Sequence, residues 1–165
     1  MSSISNFTLH GSSGVAVLDA EFLDWLQHHK SEELGKKIVA YSWMVEGRRI
    51  EMPVDTATVT WYLLPDASGF LCFERGHVPN NCTLLNAYGQ ERMRLIVPWQ
   101  LTTAHNPASN APPTCFAGIS SPHTNPADEK PGQFGVKAWV ELAGEYYFEL
   151  DWKTGAFLWG REIRF

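Results

Sequence analysis

Residues 134–165 read FGVKAWVELAGEYYFELDWKTGAFLWGREIRF, and their alternation decides the fold class of the chain. Tyr146, Phe148, Leu150 and Trp152 fall on one side of an extended segment, and Tyr147, Glu149 and Asp151 on the other. That period of two predicts a half-buried strand. Ala143-Gly144 precedes it and Lys153-Thr154-Gly155 follows it. Each turn supplies the glycine that a tight hairpin needs for positive φ. Three consecutive antiparallel strands are therefore expected. On the last one Phe157, Trp159, Arg161, Ile163 and Phe165 share a face, so one arginine stands in an apolar row.

Upstream, the same period recurs. In IVAYSWMV, Val39, Tyr41, Trp43 and Val45 share a face, Glu46-Gly47 turns the chain, and Ile50, Met52 and Val54 line the return. Residues 57–64 and 70–75 flank the turn sequence Pro65-Asp66-Ala67-Ser68-Gly69, and residues 83–88 and 92–97 flank Gly89-Gln90. The helical period appears once, in AEFLDWLQHHKSEEL, with Asp19 as the expected N-cap and Gly35 past the end. One helix and about nine strands predict an α+β, mainly β fold. The expected form is an antiparallel meander sheet, or a small barrel or sandwich, with the N-terminal helix packed on it.

A chain of 165 residues fits a single domain, 1–165, with a core of its own. Residues 1–14 are small and polar and read as a loose N-terminus. Residues 102–133 hold six of the ten prolines and lack periodicity, so they read as one long Pro-rich loop of a kind usually tied to function. With 44% hydrophobic and 19% charged residues, the composition is globular rather than disordered.

The net charge of −5 with no basic stripe argues against nucleic acid as a partner. The N-terminus lacks the pattern of a signal peptide, no run is long enough to span a membrane, and three cysteines make no even disulfide framework. A cytoplasmic, bacterial, soluble protein is the expectation.

The chemistry-bearing residues are sparse. Cys72, His77 and Cys82 are spaced C-x4-H-x4-C, which lacks both a CxxC element and a fourth ligand, so no metal is expected. His105, Cys115 and His123 lie in the Pro-rich loop, where a thiol near an imidazole would suit nucleophilic chemistry, but no cysteine-enzyme signature accompanies them. His28 and His29 point about 100° apart on the helix and cannot face one site. No phosphate-binding glycine loop, HExxH or GxSxG is present, so no cofactor and no catalytic residue is assigned, which points away from an enzyme.

Arg161 is the sharper oddity. If its face is buried it needs a carboxylate, and Glu149 or Glu141 on neighbouring strands could supply one; near a strand end it reaches water instead. The candidate ligand- or partner-binding set is thus Arg161, Glu149, Trp139, Trp159, His105 and His123. Seven tryptophans and nine phenylalanines fit a β-rich core, with some left over for an interface.

The leading expectation is a non-catalytic protein-binding or inhibitor protein that holds a protein partner with a β surface and the 102–133 loop. Small acidic β-rich chains of this type resemble the immunity proteins that neutralise polymorphic toxins, a likeness of type that no residue motif carries. The alternative is a small-ligand-binding or enzymatic barrel, with Arg161 as anchor and Trp61, Trp139 and Trp159 lining a cavity.

Overall fold

The computed structural model describes residues 3–56, 58–76, 79–102, 115–141 and 143–163. In chain order these form β1 (Ile4–Gly11), β2 (Ala16–Leu18), α1 (Phe22–His28), β3 (Ile38–Val45), β4 (Arg48–Pro53), β5 (Val59–Leu63) and β6 (Gly69–Glu74). There follow β7 (Cys82–Asn86), β8 (Glu91–Leu95), β9 (Cys115–Ser120), β10 (Gly135–Val140), β11 (Gly144–Asp151) and β12 (Ala156–Glu162). The fold is α+β and mainly β, as the alternation predicts. Its strands make three antiparallel four-stranded sheets, ordered β2-β1-β3-β4, β5-β6-β7-β8 and β12-β11-β10-β9. None closes into a barrel, so the barrel-cavity alternative loses its enclosure.

The chain divides into two compact units. Unit 1 holds residues 1–72 and 85–91, and unit 2 holds residues 73–84 and 92–165.

In unit 1 the predicted face of β3 is the core. Tyr41, Trp43 and Val45 are buried with Ile4, Phe7 and Phe70. The Trp43 ring lies 4.8 Å from that of Phe70 and 5.8 Å from that of Trp61, and its Nε1–H donates to the Ala87 carbonyl at 2.8 Å. The buried indole thus has its one polar group satisfied.

The N-terminus corrects the sequence reading. Residues 4–11 are no loose end but β1, which pairs with β2 on one side and β3 on the other. The register shifts between Ser5 and Thr8, where Asn6 takes φ 54°. This bulge puts Ile4 and Phe7, three residues apart, among the buried residues, and so breaks the period of two that would have marked the strand.

The predicted helix is also shorter than its pattern. A 3-10 turn covers Asp19–Glu21, α1 ends at His28, and a second 3-10 turn covers Ser31–Leu34. Asp19 makes no side-chain cap, and His29 is extended at φ −136°. No residue of α1 is fully buried, and Leu23 is 78% exposed. His29 instead bonds Glu33 at 2.7 Å and stacks on Trp25, with ring centroids 4.7 Å apart.

The β3–β4 hairpin matches expectation closely. Val45 pairs with Arg48 across Glu46-Gly47, with φ 50° and 76° at the two turn residues. Two positive values are what a two-residue turn matched to strand twist requires. An alanine Cβ at Gly47 would meet nothing within 4 Å, so any cost is conformational. Gly47→Ala is expected to lower stability by about 1 kcal/mol, read by chemical denaturation.

In unit 2 the order β12-β11-β10 follows the three-strand reading of residues 134–165. β9 is the correction. It lies inside the stretch read as a featureless loop and pairs with β10 from Gly135↔Ser120 to Trp139↔Cys115. Buried Asn81 holds it there, accepting from the Phe116 amide at 2.7 Å and donating to the Phe116 carbonyl at 2.9 Å. A side-chain amide has the donor and acceptor to substitute for a neighbouring strand, which composition alone does not reveal.

Candidate functional site

The site grows from β11, whose two faces are both covered. Tyr146, Phe148 and Leu150 are buried on one side and Tyr147 and Glu149 on the other. The half-buried strand of the sequence reading is therefore corrected to one buried on both faces over Tyr146–Leu150, and the reason is the segment that follows β9.

Residues 121–134 cross the face that carries Tyr147 and Glu149. Thr124 bridges Pro131, the Gly132 amide donates to the His123 carbonyl at 2.8 Å, and the Asn125 amide donates to the Lys130 carbonyl at 2.8 Å. At the tip the carboxamide of Asn125 accepts from the Ala127 amide at 3.0 Å, and Asp128 accepts from the Lys130 amide at 2.9 Å. Such Asx turns fix a loop locally. Residues 126–131 are all exposed, so the excursion is an ordered, solvent-facing hairpin rather than a slack loop.

Glu149 ties its base down. At 6% exposure, this carboxylate accepts from the Gln133 amide at 2.7 Å and the Phe134 amide at 3.4 Å through Oε2, and from the Tyr147 hydroxyl at 2.5 Å through Oε1. Two glycines make room for this. A Cβ at Gly132 would lie 2.2 Å from Glu149 Oε1, and one at Gly135 would lie 2.3 Å from Tyr147 Cζ. The pair in Gly132-Gln133-Phe134-Gly135 is the sequence signal that could have revealed the close approach.

Burial pushes the Tyr147 phenol well above its ordinary range, helped by its hydrogen bond to Glu149 and by the charge of that carboxylate; a backbone hydrogen bond from His123 opposes them. The phenol stays a neutral donor at physiological pH, a clasp and not an acid–base group. The folded state keeps a proton that the unfolded chain loses above about pH 10. The resulting stabilisation is complete below that pH and is lost as pH rises from there through the higher folded value. Tyr147→Phe is expected to cost about 2 kcal/mol near neutrality, for the lost bond to a buried charge, and to flatten part of the alkaline decline. Denaturation curves at about pH 8 and about pH 11 check both effects.

The candidate residues divide as follows. Trp159 pairs with Glu149 and Arg161 with Tyr147 across the β11–β12 ladder, so all four share one face. The Trp159 ring is 5.4 Å and the His123 ring 4.9 Å from that of Tyr147. Arg161 is exposed and donates from Nη1 to the Thr124 carbonyl at 2.9 Å. It helps fasten the hairpin instead of pairing with Glu149. Trp139, at 47% exposure, stands further along β10, opposite Glu145. His105 and His77 lie outside the described residues. Tyr147, the centre of the cluster, was missed because its strand face reads as polar and outward.

Beside the hairpin base lies a cleft of about 350 Å³, lined by Gln133, Glu149, Asp151, Trp152, Lys153 and Leu158 together with Leu150. Arg92 donates to the carbonyls of two of these residues, Trp152 at 3.1 Å and Lys153 at 2.8 Å.

Catalytic geometry is thin by comparison. Burial pushes the Cys115 thiol up, the reverse of what an activated nucleophile needs. His10 and Ser42 approach to 2.6 Å, but Ser42 sits mid-strand and buried, out of a substrate's reach. Among the described residues no group of three or more His, Cys, Asp or Glu could hold a metal ion, and no helix is long and apolar enough to cross a membrane.

No protein-family model and no curated protein matches the sequence. In three dimensions the chain is similar to one in a solved structure of Tne2 in complex with Tni2, with a TM-score of 0.63 over 98% of this chain and 99% of that one. The two are 15% identical, so what they share is a fold, carried along nearly the whole of both chains.

Proposed function

We propose that this chain is a non-catalytic protein-binding or inhibitor protein of the immunity-protein kind, acting in the cytoplasm, and that the hairpin of residues 121–133 with the adjoining face of its sheet holds the partner. The observation that carries this reading is the end-to-end fold likeness to a chain found in a complex of two proteins. The hairpin supports it independently. Its base is fastened by buried groups, while its tip, Ala127-Asp128-Glu129-Lys130, is exposed and already hydrogen-bonded into one shape. Preorganised loops bind with less ordering cost than slack ones. Trp159, Trp139 and Arg161 are residue types favoured in interface cores, and they stand on the same sheet face.

Affinity capture from the native host lysate tests the proposal. The full-length protein is expected to retain one partner at equal stoichiometry, judged by light scattering of the eluted complex. Replacing Asp128, Glu129 and Lys130 together with alanine is expected to weaken that complex about tenfold or more, equivalent to about 1.4 kcal/mol. Failure to retain any stoichiometric partner overturns the reading, and undiminished binding by the triple variant removes the hairpin from it.

A further inference from the structure

We infer that the cleft beside the hairpin base receives a cationic side chain, arginine or lysine, from the partner; the inference rests on the protein-binding reading and names the chemistry of that same surface. Two of the residues lining the cleft are the acids Glu149 and Asp151, two residues apart on β11. Glu149 is more than nine-tenths buried, yet its three hydrogen-bond donors are a neutral phenol and two backbone amides. An ionised carboxylate offers about four acceptor positions, so one remains open. Among the described residues no cation lies within salt-bridge distance of it, so hydrogen bonds alone offset the desolvation of this buried carboxylate. Asp151 has one oxygen on the Lys153 amide at 3.0 Å, which leaves its other oxygen for an incoming donor.

The walls select among cations. Trp152 and Leu158 supply apolar lining, and Leu158 is 57% exposed on β12, at the end of the sheet order. A hydrated metal ion gains nothing from such walls, and the two carboxylates fall short of a metal-ligand set. A long aliphatic stem ending in a charge matches both parts at once, with the stem on leucine and indole and the head on the carboxylates. A volume of about 350 Å³ suits one long side chain and lies at the low end for small-molecule sites. Lys153 is exposed and lines the cleft, with its carbonyl held by Arg92, and among the described residues neither cation makes an ion pair with Glu149 or Asp151.

The test uses the full chain and no partner, so it stands apart from the capture experiment. N-acetyl-arginine amide is titrated into isotope-labelled protein while the Trp152 indole N–H and the Gln133 amide are followed by NMR, with N-acetyl-citrulline amide as the neutral isostere. Saturable shifts of both signals with the arginine probe are expected, weakened at least tenfold for citrulline and several-fold by Asp151→Asn. Asp151 is only partly buried, so that variant keeps the fold; an unchanged amide spectrum verifies it. Equal binding of the two probes, or no saturable shift with either, overturns the inference and leaves the protein-binding reading intact. Arginine binding without any captured partner upholds the cation site and overturns the partner reading alone.

Discussion

Glu149→Ala is expected to destabilise unit 2 by about 3 kcal/mol and to release the 121–134 segment from the sheet. Hydrogen bonds to a charged acceptor are worth about 1.5–3 kcal/mol apiece when a buried partner is left behind. Three donors lose that acceptor, but their losses are not equal. The Tyr147 hydroxyl is fully buried and has no water to turn to. Gln133 is exposed, so its amide finds solvent, and the Phe134 bond is long at 3.4 Å. The phenol therefore supplies most of the effect. Glu149→Gln keeps an acceptor oxygen and is expected to lose about half as much. Combining Glu149→Ala with Tyr147→Phe should cost less than the two separate losses added together, because each removes the same bond. Equal additivity, measured by denaturant midpoints, would show that the two side chains do not act as a unit.

Trp43→Ala carries the largest expected loss, about 4 kcal/mol, and it falls on unit 1. Removing a buried tryptophan from a core costs about 3–5 kcal/mol through lost transfer energy and the cavity left behind. Trp43 is 1% exposed and touches the rings of Phe7, Phe70 and Trp61. These neighbours sit on strands tied by ladders, so collapse into the gap is restricted. The substitution also strands the Ala87 carbonyl, which Trp43 Nε1 now satisfies. Trp43→Phe separates the two contributions: it refills most of the volume and leaves the carbonyl unpaired, for an expected loss of about 2 kcal/mol. A loss below about 1 kcal/mol for the alanine variant would contradict the central place of this indole in the core.

Much of the fold was legible because alternation and turn chemistry agree where strands are regular. Tyr41, Trp43 and Val45 announce the buried face of β3, and Glu46-Gly47 and Gly144 mark turns that the backbone indeed makes with positive φ. What stayed hidden has specific causes. β1 is masked by the bulge at Asn6, which moves Phe7 out of phase with Ile4. β9 is masked by the prolines around it and by its dependence on Asn81, a partner distant in sequence. α1 stops early because its apolar residues find too little to bury against, as exposed Leu23 shows.

The site was legible in parts. Glu149, Trp159 and Arg161 share one sheet face with His123 over it, and Arg161 is exposed near the end of β12 and makes no pair with Glu149. Glu149 takes backbone amides and a phenol, and Arg161 takes a carbonyl. Alternation assigns Tyr147 and Glu149 to solvent, because a period of two says which residues share a face and not what later covers it. The covering segment comes from the Pro-rich stretch, where periodicity is silent.

Hydrogen exchange of the Gln133 and Phe134 amides, measured by NMR on the free full-length protein, tests the strapped hairpin most directly. Protection of both amides close to that of the β10–β11 ladder is expected, falling by a factor of about 100 or more in Glu149→Ala, in line with about 3 kcal/mol. Exchange at the rate of an exposed loop in the unmodified protein would contradict it, because the hairpin would then not be held in one shape for a partner to meet.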